Sequence, residues 1–153
     1  MQAAAECAPT QVMVGMRCAL RCGMSKESFF KGYVECALWS SCDPDNHDRP
    51  LDDTFTIEDI DPESLAKMRA DCDAFYDAQA DLLVHAVADD RAGHDLWLSR
   101  NGHGAGYFDG EAHEYGEDYE RVCEALQDAA AKLGSSDLYP GDPDSDGKRK
   151  LYI

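Results

Sequence analysis

Positive charge is what this chain has least of. Its 14 lysines and arginines face 31 aspartates and glutamates, for a formal net charge of −17. Phosphate backbones and anionic lipid surfaces are repelled by such a surface, which excludes direct nucleic-acid binding and electrostatic attachment to membranes. No apolar run reaches the roughly 18 residues that a membrane span requires. A secretory apolar segment with its cleavage site is missing too, and the seven cysteines are an odd number. Free thiols in the reducing cytoplasm are therefore expected, not a disulfide framework. No Lys-Ser/Thr pair follows Gly102, Gly104 and Gly106, so these glycines form no phosphate loop. Cys18 and Cys22 have no second pair to complete a zinc site. The run Asp142-Pro-Asp144-Ser-Asp146-Gly147 opens like a calcium loop but puts Ile153 where the closing glutamate belongs. No cofactor and no metal are expected.

What is present is enough apolar material for a core: 44% of the chain, with two tryptophans, seven tyrosines and five phenylalanines. The length suits one domain. Residues 1–24 carry Arg17 and Arg21 but only Glu6, and are read as an amino-terminal arm with one short strand at Gln11–Met16; 25–153 form a single acidic α+β domain. Ser25 is placed as the N-cap of a first helix over Lys26–Ser40, whose Phe29, Phe30, Tyr33, Val34, Ala37 and Leu38 share one face. Pro44 and Pro50 interrupt an acidic loop over 43–63, after which Asp61-Pro62 starts a second helix ending before Gly93. Leu96-Trp97-Leu98, Asn101-Gly102 and Tyr107-Phe108 predict a central hairpin. A third helix over Gly116–Leu133 and two short strands at Asp137–Tyr139 and Arg149–Tyr152 complete the expected architecture: three helices packed on a small antiparallel sheet.

Two kinds of site can be drawn from these elements. The first is chemical: His94, Asp95 and His103 around the expected hairpin would suit a small metal-dependent hydrolase, although the two histidines would stand at opposite ends of a strand and its turn. The second is electrostatic. Asp73, Asp77 and Asp81 recur every four residues with no lysine or arginine between them, and like charges at that spacing destabilise a helix by about 0.2–0.5 kcal/mol per pair. With Asp52 and Asp53 in the acidic loop, and Glu117 and Asp118 in a cluster that runs from Asp109 to Glu124, they make three acidic patches. A basic protein surface, or a channel built for the dense charge of a duplex, is the partner such patches fit. Residues of this second kind carry no catalysis.

The segment Gly93-His-Asp-Leu-Trp-Leu-Ser-Arg-Asn-Gly-His-Gly-Ala-Gly-Tyr-Phe-Asp109 resembles the signature GHDxWLxRNGHGAGxxD of small acidic proteins of bacteriophages and other mobile elements, most of uncharacterised function. Tyr33–Trp39, Pro50-Leu-Asp52 and Asp137-Leu-Tyr139 extend the likeness over most of residues 30–153. The resemblance implies a mobile-element context, and thereby an inhibitor of a host nucleic-acid-binding defence complex, a CRISPR effector or a restriction enzyme, that acts as an acidic DNA mimic. A binder of a basic protein unrelated to defence is the remaining alternative.

Overall fold

A computed structural model describes residues 25–153; the expected arm, its strand and the thiols of Cys7, Cys18 and Cys22 lie outside the described residues. Two of the helix starts form as their capping residues dictate. Helix α1 spans Lys26–Ser40, and the Ser25 side chain accepts from the Ser28 N–H at its start. Helix α2 spans Pro62–Ala78, where Asp61 accepts from the Glu63 and Ser64 amides and Pro62 fills the first position. The chain then breaks at Gln79 and continues as a single turn, α3, over Ala80–Leu83. Helix α4 spans Asp89–Arg100, α5 is a turn over Ala112–Tyr115, and α6 covers Tyr119–Leu133.

The expected α+β architecture is overturned. The described residues are mainly helical, with six α-helices and only two ladders of two residues per strand. Strand β1 (Cys42–Asp43) pairs antiparallel with β2 (Arg49–Pro50), and β3 (Tyr139–Pro140) with β4 (Leu151–Tyr152). Where the central hairpin was expected stands α4. The reason is burial: Ala92, Gly93, Asp95 and the whole run Leu96 to Arg100 are buried, so the amphipathic alternation that marks a surface helix is absent from its last six residues. A short apolar run of this kind reads equally as a strand. The Asn101-Gly102 pair misleads in the same way. Gly102 takes φ +67° and its N–H donates to the Ser99 carbonyl, while the His103 N–H donates to Leu98, which is the Schellman closure of a helix and not a hairpin turn.

Helix α4 crosses α1 with no side chain between them at two points. An alanine Cβ at Gly93 would lie 1.9 Å from the Phe29 carbonyl oxygen, and one at Gly32 would lie 1.9 Å from the Asp90 carbonyl oxygen. Around this crossing runs a chain of rings from α1 through α2 to α5. Phe29 stacks with Phe75, Phe75 with Tyr107, and Tyr107 meets Tyr115 edge-on. Each buried tyrosine hydroxyl has a partner: Tyr107 donates to the Ala92 carbonyl, Tyr115 donates to Asp95, and Tyr33 accepts from Arg100. The carboxy-terminal ladder is tied to the acidic loop, where Arg149 bridges Asp43 and Asp45 and the Asp61 N–H donates to Leu151.

Cys36, Cys72 and Cys123 are buried thiols, as expected for small apolar groups on helix faces, whereas Cys42 is exposed. Burial pushes the Cys36 thiol up to about 12 and the Cys123 thiol up to about 11, so both stay protonated near neutrality and are poor nucleophiles. At pH ~8 a thiol reagent should label Cys42 rapidly and the other three only on unfolding. Peptide mapping that found Cys36 or Cys123 labelled at the rate of Cys42 in the folded protein would contradict this packing.

Candidate functional site

The segment 93–109 is placed first by what its residues do. Gly93 makes the helix crossing, and Trp97 donates to the Ser40 hydroxyl at 2.8 Å while packing edge-on against Tyr33. Arg100 is buried, and its guanidinium donates to the Tyr33 hydroxyl, Asp71 and the Gly134 and Leu133 carbonyls at the end of α6. Asn101 closes α4 and accepts from the Ser136 N–H. Gly106, at φ +92°, lies where a Cβ would come within 2.6 Å of the Asp95 carbonyl, and the Tyr107 N–H donates to the Ser99 hydroxyl. The segment is thus built into the core and its connection to α6.

The three residues of the chemical reading fall into different settings. His94 and Asp95 are neighbours on α4, not on a hairpin, and His103 is an exposed residue in the closure beyond it. Asp95 has no exposed side-chain surface; Arg91 reaches one of its oxygens at 3.1 Å and Tyr115 donates to the other. Burial is the largest cause that raises the Tyr115 hydroxyl far above its usual range, and the Asp95 charge adds to it, so Tyr115 is a fixed donor to a carboxylate. The His94 ring is partly exposed and lies 5.9 Å from the Trp39 ring, itself 56% exposed. Among the described residues no group of three His, Cys, Asp or Glu side chains is arranged to hold a metal ion. In the carboxy-terminal acidic turn, Asp144 accepts from the Asp146 and Lys148 amides, which lower its pKa and close the turn.

The acidic residues are dispersed differently from their spacing in sequence. Asp77 pairs with Lys26 at 2.6 Å, beside the first turn of α1. Asp52 and Asp53 follow Leu51, whose N–H donates to the Ser41 carbonyl just past the last turn of α1, and Asp53 pairs with Arg49. At a rise of ~1.5 Å per residue, a helix of this length holds these two groups roughly 20 Å apart. The loop and the α2 row therefore do not form one continuous patch. Nor is the row itself one ridge: Asp73 and Asp77 are on α2, but Asp81 lies beyond the break at Gln79, on α3.

Comparison with protein-family models, with characterised proteins and with solved structures finds no match to this chain. Function has to be argued from the surface itself.

On α6 the acids do line up. Glu120, Glu124 and Asp128 stand four residues apart on one unbroken helix, and none of the three makes an ion pair among the described residues. Glu117 and Asp118 lead into that helix, with Asp118 held by Arg121 at 3.8 Å. Of the rest of the expected cluster, Glu111 and Glu114 are engaged elsewhere: both cap α5, and Glu114 also pairs with Arg91. Beside the ridge lies a cleft of about 370 Å³, lined by Tyr107, Phe108 and Tyr119 together with the three carboxylates. The 3₁₀ turn Tyr107–Asp109 that forms one wall buries Tyr107 and leaves Phe108 75% exposed. Asp128 and Phe108 were not singled out by the sequence reading. The four-residue spacing from Glu120 is the available signal for the first; Phe108 reads as part of a strand, and no signal in the sequence marks it as a wall.

Proposed function

We propose that the protein binds the basic, nucleic-acid-contacting face of another protein and occupies it in place of nucleic acid. The observation that carries this is how the charge is distributed. Every described lysine and arginine except Lys132, Lys148 and Lys150 is in an ion pair with an acid of this chain, while Asp52, Asp73, Asp81, Glu117, Glu120, Glu124 and Asp128 make none among the described residues. The negative excess therefore faces outward, with its most regular stretch on α6. An outward field of one sign steers a basic partner and repels polyanions. A restriction enzyme or a CRISPR effector is the partner of this kind that the mobile-element resemblance implies. No helix among the described residues is long and apolar enough to cross a membrane.

The test is displacement. A basic DNA-binding protein carrying a labelled duplex should release the duplex when this protein is added, and release should weaken steeply as salt rises, because exposed charges are screened over about 10 Å at 0.1 M. Neutralising Glu117, Glu120, Glu124 and Asp128 as amides should weaken displacement by about tenfold or more, chiefly through slower association. A charge-matched control at Asp52, Asp73, Asp81 and Asp137 should weaken it less. Equal displacement by both variants and the parent would mean that the acids serve solvation alone.

A further inference from the structure

We propose that the cleft between α6 and the Tyr107–Asp109 turn receives the guanidinium group of an arginine on the partner. This rests on the basic-partner reading and assigns it a specific contact. Three properties of the cleft point to that group. Glu120, Glu124 and Asp128 give it a negative wall, and no cation of this chain neutralises them among the described residues. Tyr119 and the exposed Phe108 add aromatic surface, which attracts a cation through the negative faces of the rings. The volume, about 370 Å³, is at the small end of the range for ligand sites and suits one long side chain.

These properties also discriminate among cations. A hydrated metal ion gains nothing from ring faces and requires convergent oxygen ligands, whereas here the carboxylates stand a helical turn apart along a ridge. Lysine presents a compact, strongly hydrated charge. Arginine presents a planar, weakly hydrated one that can stack on a ring and donate to a carboxylate in the same pose. Arginine is also the side chain that proteins use most for phosphate and base contacts, so a cleft that takes it competes for the groups a nucleic acid would occupy.

The decisive variant changes no charge. Oligoarginine and oligolysine peptides of equal length are titrated by calorimetry at low salt into the folded parent and into Phe108→Ala, with circular dichroism as the check on folding. The parent should bind oligoarginine more tightly than oligolysine, and Phe108→Ala should weaken oligoarginine by about fivefold while leaving oligolysine unchanged. Phe108→Tyr, which keeps the ring, should restore the parent's preference. Should Phe108→Ala fail to fold, Phe108→Leu keeps the bulk without the ring and serves the same comparison. Equal binding of oligoarginine by the parent and the ringless variant overturns the cleft as an arginine site but leaves the charged-surface reading standing. Failure of the folded parent to bind either peptide overturns both.

Discussion

Gly93→Ala is expected to abolish the cooperative thermal transition or to lower stability by about 3 kcal/mol or more, the upper end for overpacking, because the new methyl meets backbone and not a movable side chain. The Phe29 carbonyl oxygen would be 1.9 Å from it and the Tyr33 nitrogen 3.1 Å. Relief requires α1 and α4 to separate, which would strip contacts from Phe29, Tyr33, Leu96 and Trp97, all of them buried. Gly32→Ala should behave alike, since its methyl meets the Asp90 carbonyl. The sign makes the test sharp. On an open helix face glycine to alanine stabilises by roughly 1 kcal/mol, so a denaturation midpoint at or above the parent's would show that the two helices do not cross there.

A loss of about 3–5 kcal/mol is likewise expected for Arg100→Met, which keeps length and removes the charge. Its guanidinium, whose side chain is 3% exposed, serves four acceptors at once: the Tyr33 hydroxyl at 2.6 Å, the Gly134 carbonyl at 2.8 Å, Asp71 at 3.1 Å and the Leu133 carbonyl at 3.4 Å. Two of these are terminal carbonyls of α6, which a helix leaves without internal partners. A methionine leaves them and a buried hydroxyl unsatisfied. Urea denaturation should show a lower midpoint with an unchanged slope, and adding Tyr33→Phe should recover part of the loss because one orphan is then gone. A single variant within 1 kcal/mol of the parent would show that water reaches these groups.

The places where sequence reading succeeded and failed have physical causes. Ser25 and Asp61-Pro62 announced α1 and α2 because capping is local chemistry, complete within a few residues. Helix α6 was legible through its single apolar stripe, Val122, Cys123, Leu126 and Ala130, although it begins at Tyr119, three residues later than expected. Helix α4 was not legible, since its last six residues are all buried and leave only Asp90, Arg91 and His94 near its start to mark a solvent face, and Asn101-Gly102 serves a helix end as readily as a hairpin. The acidic row Asp73, Asp77, Asp81 was correct in spacing but assumed a continuous helix. Its interruption at Gln79, and the Lys26 that reaches Asp77 from α1, are tertiary facts that no spacing encodes. The ridge at Glu120, Glu124 and Asp128 was nearly legible, and the cleft beside it was not, because its other wall comes from a turn folded onto α6 from the preceding segment.

The burial of much of the segment 93–109 separates two kinds of residue. Gly93, Trp97, Arg100 and Gly106 are each held by contacts within the core, so a change at any of them tests folding and not what the chain binds. Exposed acids that neither cap nor pair, such as Asp81, Glu124 and Asp128, obey the opposite rule: each can be exchanged at almost no cost to folding. The charge of this coat and the packing of the segment 93–109 can therefore be altered independently, by substitution at separate sets of residues.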